Sequence, residues 1–250
     1  MEKPKNAAVQ AAFLIYNTGL YGGEKIMIPI RDQIPTRSVP FVNYLLIAAN
    51  IFVFILMWLA GTNQESQVWQ YALVPSQVSA GLDAGDIVRF FTSMFMHGGI
   101  AHIAGNMLYL WIFGDNVEDA MGHGKYLLFY LGGGVIASLT HILFYSTSDV
   151  PTVGASGAIA AVLGAYLILY PQSRVQTIIP LGFFLRITLI PASIVLGLWF
   201  LLQLVYGVLS LGTPGISNVA FWAHIGGFVV GVVLAKLLAS RRRPEYVVRY

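Results

Sequence analysis

Uncharged apolar runs of about twenty residues recur along this chain, with charged residues gathered in the short segments between them. Phe41 to Ala60 carries no charge, and twenty residues of helix suffice to cross a hydrocarbon core about 30 Å thick. Between Arg89 and Asp115 lies a second uncharged stretch. Its later part, about Ile100 to Gly114, is assigned as span two, and Ile87 to Met96 as an interfacial segment. Tyr126 to Tyr145 and Val153 to Tyr170 are spans three and four, and Val219 to Ala235 is span six. From Ile178 to Leu211 the only charge is Arg186. As one helix that stretch would reach roughly 50 Å, so Ile187 to Leu211 is the better span. The residues before it, with Pro180, Gly182 and Arg186, read as an interfacial connection. The pattern thus predicts an all-α integral membrane protein, a bundle of six transmembrane helices.

Composition agrees with that solvent. Only 10% of the 250 residues are charged and 57% are hydrophobic, against about a quarter charged in a soluble domain. The 26 glycines suit closely packed membrane helices. With no cysteine, disulfides, thiolate metal sites and cysteine nucleophiles are excluded. A net charge of +3 invites a nucleic-acid reading, but the basic residues flank apolar runs instead of forming one patch.

Their distribution sets the orientation. Lys3, Lys5, Lys25, Arg31 and Arg37 precede span one, and Lys125 lies between spans two and three. Arg174 and Arg186 lie between spans four and five, and Lys236, Arg241, Arg242, Arg243 and Arg249 follow span six. Six spans put all of these on the cytoplasmic side and leave only Arg89 outside, as the positive-inside rule favours. Both termini are therefore expected in the cytoplasm. Residues 1–40 form an N-terminal extension, 41–238 the membrane core and 239–250 a basic tail. The extension begins like a signal peptide, with Lys3 and Lys5 before the apolar run Ala7 to Tyr16. Gly19 to Glu24 is a poor cleavage site, which favours an uncleaved segment; Met27 is an alternative start.

This topology brings polar residues to one depth. Counted back from the cytoplasmic ends of spans two, four and six, His102, Asn106, Ser156 and His224 lie roughly 14 to 21 Å up, between the midplane and the outer surface. Polar groups inside spans are rare and face the bundle interior, a partner or water. Each has an ordinary reading too. Ser156 stands among small residues that pack helices. His224 adjoins a stripe of Ala223, Gly227 and Gly231 at i, i+4 and i+8. Asn106 suits an interhelical hydrogen bond, and His102 suits the headgroup region.

Together they suit amide hydrolysis. A serine hydroxyl needs a base, usually histidine, within about 3 Å, and small residues around Ser156 and His224 permit that approach. The oxyanion formed by attack needs fixed donors. The Ser156 backbone N–H, near the start of its helix, and the Asn106 amide are available, with His102 one turn away from Asn106. No carboxylate lies in this layer, so a Ser156–His224 dyad without an acidic third member is expected. His97, His102 and His141 raise a zinc reading. No H-E-x-x-H and no carboxylate accompanies them, and no metal is expected. A transporter would also gather polar groups near the midplane, but it tends to show two related halves, which are not apparent here.

Three motifs carry a family resemblance: H-x-x-x-N on span two (His102, Asn106), G-x-S-G opening span four (Gly154 to Gly157), and A-H-x-x-G-x-x-x-G on span six. With M-I-P-I-R-D-Q-I-P-T-R before span one and G-D-N-V-E-D-A-M-G after span two, the chain from about Met27 to Leu238 resembles the rhomboid intramembrane serine proteases. The resemblance implies Ser156 as nucleophile and His224 as general base. It implies an oxyanion and substrate-binding site of Asn106, His102, Gly154, Gly157 and the Ser156 backbone. It also implies no cofactor, a first outer loop lying partly in the membrane, and cleavage of transmembrane protein substrates in or beside their membrane segment. The lipid bilayer is the expected surrounding and nucleic acid is not a partner. The compact bundle points to a prokaryotic plasma membrane, with the site opening to the outer face.

The resemblance departs at Ala160. Family members often carry an aromatic residue there, one turn after the serine, stacked on the histidine. Phe221, Trp222 and Tyr109 are the candidates for holding the His224 ring instead. In the outer loop Val88-Arg89 stands where the family often shows Trp-Arg; the arginine is kept. Water is expected to reach the site through a cavity lined by His97, His102 and Asn106, beneath a flexible connection, Gly212 to Asn218.

Overall fold

The computed structural model describes residues 28–61, 64–181, 184–211 and 219–240. Most of residues 1–40, the connection from Gly212 to Asn218 and the tail from Arg241 onward lie outside these. The helices follow the apolar runs. Helix α1 is Phe41–Leu59, and three short helices follow it: α2 (Gln64–Tyr71), α3 (Pro75–Ala80) and α4 (Ala84–Thr92). The long helices α5 (Ile100–Met121) and α6 (His123–Phe144), the short α7 (Ser156–Leu169), and then α8 (Ala192–Leu211) and α9 (Phe221–Leu238) complete the helical part. Four of them, α1, α6, α8 and α9, are long and apolar enough to cross a membrane. Their 18 to 22 residues reach about 27 to 33 Å. Leu45, Phe52, Leu201 and Val208 stand exposed on α1 and α8, a surface that fits lipid far better than water. The chain is a multi-pass integral membrane protein.

Helix α7 is the centre of the bundle. Every residue from Gly157 to Tyr166 is buried, and an all-round apolar helix is what a fully enclosed position requires. Its closest neighbour is α9. A Cβ on Gly227 would overlap the Gly157 carbonyl, one on Gly231 the Ala161 carbonyl, and one on Gly164 the Phe228 carbonyl. Glycine on both helices therefore brings the two backbones into direct contact. The stripe of small residues on α9 is this packing face.

At 14 residues α7 is only about 21 Å long, so it starts well inside the bundle. The chain descends to it in extended form. Its backbone groups there are satisfied by other chain segments: Leu73 and Thr152 exchange N–H···O bonds of 3.2 and 2.7 Å, and the Gly154 N–H donates to the Ser93 carbonyl at 2.9 Å. Irregular backbone at membrane depth is tolerated only when paired in this way.

At the other end of α7 the structure departs from the sequence reading. Residues read as N-terminal extension, as interfacial connection and as the start of span five form a three-stranded antiparallel sheet, β1 (Ile28–Asp32), β2 (Arg174–Leu181) and β3 (Phe184–Pro191). Thr177 pairs with Thr188 and Ile178 with both Ile187 and Ile28. Val175 and Thr177 are buried with Gln176 between them less so, the two-residue period of a half-covered strand. Span five consequently begins at Ala192 instead of Ile187.

The acidic run after span two belongs to α5, which continues seven residues past Gly114. Its charges are held by partners. The buried Glu118 carboxylate accepts the Val42 and Asn43 N–H groups at 3.1 and 2.7 Å, capping the start of α1, where Pro40 supplies no side-chain cap. Asp119 accepts the Ser38 N–H and hydroxyl at 2.9 and 2.6 Å. Gly122, with φ of 82°, lets α6 begin one residue after α5 ends. Asp32 of β1 accepts from the Asn116 amide (2.8 Å) and the Tyr166 hydroxyl (2.6 Å), fastening the sheet to α5 and α7. Burial pushes its carboxyl up to about 6. In the interfacial segment Arg89 bonds Asp86 at 2.8 Å and the Gln70 carbonyl at 3.2 Å, tying α4 to α2.

Candidate active site

Ser156 is the first residue of α7 and His224 lies in the first turn of α9. Both helices start at this level, and the glycine contacts between them hold the two side chains together. The hydroxyl Oγ of Ser156 is 2.8 Å from Nε2 of His224. At the start of α7 the first N–H groups have no carbonyl within the helix to accept them, and the positive end of the helix dipole lies there. An anion forming at Ser156 would meet that potential.

The other ring nitrogen of His224 is engaged as well. Nδ1 is 2.8 Å from Oε1 of Gln203 on α8. Trp199, one turn earlier on the same face of α8, places its ring 5.8 Å from the imidazole at 36°. These two residues hold the His224 ring. The three candidates from sequence are committed elsewhere: Trp222 stacks on Phe144 at 3.5 Å, Phe221 stacks on Tyr206 at 5.6 Å, and Tyr109 faces Phe113 at 5.9 Å. Ala160 is fully buried, and the Cβ position of Gly227 is only 3.3 Å from its methyl group. An aromatic side chain has no room there, so the ring is held from α8 and not from α7. Gln203 was overlooked in the sequence although the signal was present: it is an uncharged polar residue in the middle of an apolar span.

The remaining residues converge with differing closeness. Asn106 on α5 is buried, and its Nδ2 has no hydrogen-bond partner among the described residues, a donor held ready inside the bundle. The ring of His102 lies against Gly154, where an added Cβ would come 2.8 Å from its Cε1 and Nε2. Gly154 also has φ of 128°, so both space and backbone conformation require glycine. Gly157 faces the Cβ atoms of Ala137 and Ala223, a helix-packing contact. His97 is buried with its ring 5.0 Å from that of His102. The cavity beside Ser156 is lined by Ser93, Ser138, Thr152, Gly154 and Ala223 among others. His97, His102 and Asn106 are not among the walls of this cavity.

Residues 84–241 match the Rhomboid domain family. The chain is 34% identical over 201 residues to Rhomboid protease GluP of Bacillus subtilis (strain 168), covering 80% of this chain and 35% of that protein. It is 28% identical over 219 residues to Rhomboid protease GlpG of Enterobacter sp. (strain 638), covering 86% and 70%. To the mitochondrial Presenilin-associated rhomboid-like protein of Bos taurus it is 32% identical over 136 residues, covering 53% and 34%. It therefore spans about a third of the length of the first and the last of these relatives.

Proposed function

This chain belongs to the rhomboid family, and from that premise we propose that it is an intramembrane serine endopeptidase working through a Ser156–His224 dyad. The observation that carries the proposal is the 2.8 Å approach of Ser156 Oγ to His224 Nε2 inside a bundle of apolar helices. A serine and a histidine at that distance can exchange a proton directly.

The reaction follows from the geometry. His224 Nε2 takes the Ser156 proton as Oγ attacks the scissile carbonyl, and returns it to the leaving amine. Water, deprotonated by the same nitrogen, then hydrolyses the acyl-enzyme. The carbonyl oxygen becomes an oxyanion that the Ser156 N–H and the Asn106 amide stabilise, with His102 beside Gly154 as a further donor. Gly154 and Gly157 line the cavity beside Ser156 and leave its walls free of side chains at those two positions. The chemistry requires no metal or organic cofactor.

Substrates are transmembrane segments of other proteins, unwound locally because a helix hides its amides in hydrogen bonds. They approach from the lipid, beside α8, the least buried of the four long helices. In this reading α5 and α7 complete six spans over residues 41–238. The segments 1–40 and 239–250 lie in the cytoplasm, and the site opens to the outer face. The bacterial relatives and the single compact bundle support a prokaryotic plasma membrane as host.

The test is incubation of purified protein in liposomes with a panel of single-span substrates. Wild type cuts in or beside the membrane segment and Ser156→Ala does not, while its thermal unfolding is unchanged. Cleavage by Ser156→Ala would overturn the nucleophile, and a folded wild type that cuts nothing in the panel would favour a relative that binds membrane helices without cutting them.

A further inference from the structure

A dyad leaves open what keeps the histidine in its working form. A neutral imidazole has two tautomers, and only the one with its proton on Nδ1 offers a lone pair at Nε2 to accept the serine proton. In the usual triad a carboxylate selects that form. Here the atom facing Nδ1 is Oε1 of Gln203, 2.8 Å away. An amide oxygen only accepts, so the bond exists only if Nδ1 carries the hydrogen. Nε2, 2.8 Å from Ser156 Oγ, is then the acceptor.

We propose that Gln203 is the positioning residue of this site: its amide oxygen fixes the Nδ1–H tautomer and the orientation of His224, in the place an acidic residue takes in a triad. This rests on the dyad reading. Several features support it. Gln203 is the sole polar side chain between Trp199 and Tyr206 on α8, and a polar group in the middle of a span is costly unless paired. Trp199 and Gln203 lie at i and i+4, so one face of α8 supplies both a flat wall and a hydrogen-bond acceptor. Ala160 removes the wall that α7 would have offered. An amide also differs from a carboxylate in a useful way: it selects the tautomer without adding a negative charge that would favour the protonated ring in an apolar interior.

Because Gln203 rides on α8, the base is set only while α8 is seated against α9. That seating is marked further along by the Trp222 indole N–H donating to the Gly207 carbonyl at 3.2 Å, while the Tyr145 hydroxyl just past α6 donates to Ser210 on α8 at 2.8 Å. A displacement of α8 away from α9 withdraws the acceptor from Nδ1.

Three measurements test this. In 15N-histidine protein, with His224→Ala identifying the signal among the five histidines, the folded wild type shows His224 protonated at Nδ1 and not at Nε2. Protonation at Nε2 overturns the proposal whether or not any variant folds. Gln203→Met, similar in size but without a strong acceptor, lowers kcat about tenfold, the scale of one neutral hydrogen bond, and leaves KM within twofold. Gln203→Glu keeps the acceptor, retains most of kcat, and moves the acid limb of the kcat profile to higher pH by favouring protonated His224. A Gln203→Met protein that turns over within twofold of wild type, with the acid limb of Gln203→Glu unmoved, shows that Gln203 only packs. Failure of the dyad itself is separate, since it appears as cleavage by Ser156→Ala.

Discussion

Replacing Gly227 by alanine should disable the site from a position that touches no substrate. A Cβ there meets the Gly157 carbonyl oxygen and carbon and lies 3.3 Å from the Ala160 methyl group. The obstacle is backbone on the facing helix, which cannot rotate aside. Restoring ordinary van der Waals spacing requires α7 and α9 to part by roughly 1 Å near this contact. Ser156 and His224 sit on those helices within one turn of it, so their 2.8 Å separation would grow past the ~3.2 Å reach of a productive proton transfer. A misplacement of that size costs about 10²-fold in turnover. The overpacking costs ~1–3 kcal/mol of stability, which a bundle can absorb and stay folded. Turnover of a fluorogenic single-span substrate in liposomes, read beside thermal unfolding in detergent, separates the two effects. Val229→Ala, on the exposed face of the same helix, should change neither. Gly227→Ala turnover within threefold of wild type would refute the reasoning that close backbone contact sets the dyad distance.

Asn106→Ala should lower kcat by ~10²–10³ with little change in KM, the usual loss for one oxyanion donor; a change confined to KM would assign Asn106 to substrate binding alone. Glu118→Ala leaves the buried Val42 and Asn43 N–H groups unpaired and should cost about 3 kcal/mol in chemical unfolding, whereas a cost under 1 kcal/mol would mean that the α1 start is satisfied another way. Asp32 makes stability depend on pH. Its folded carboxyl titrates near 6 against 3.8 unfolded, so between those values the folded protein binds the extra proton, and stability falls as pH rises from about 4 through 6. Asp32→Asn should reduce that slope in thermal melts taken between pH 4 and 7, and an unchanged slope would assign it to another group.

Four of the spans and the meeting of Ser156 with His224 are legible because each rests on a short-range rule. Apolar runs of set length mark helices, and counting residues from their ends brings Ser156 and His224 to one depth. The sheet was hidden because its register is long-range. Ile28 pairs with Ile178, far along the chain, and Pro180 and Gly182 read locally as breakers. Helix α5 runs past the uncharged stretch for a related reason: Glu118 and Asp119 are paired with the start of α1 and its approach, so charge does not end the helix. Gln203 lies far from His224 in the sequence and is not aromatic, so the motif around His224 does not point to it. The contact comes from α8, whose facing residues a single helical pattern does not reveal.

Which serine attacks, and what activates it, can be read from a single labelling experiment. Wild type and His224→Ala in liposomes, treated with a serine-directed phosphonate and mapped by mass spectrometry, answer both at once. The predicted result is one adduct, on Ser156, forming at least ~10²-fold more slowly in His224→Ala, the lower end of what a general base contributes. An adduct on another serine, or an unchanged rate without His224, would contradict the account.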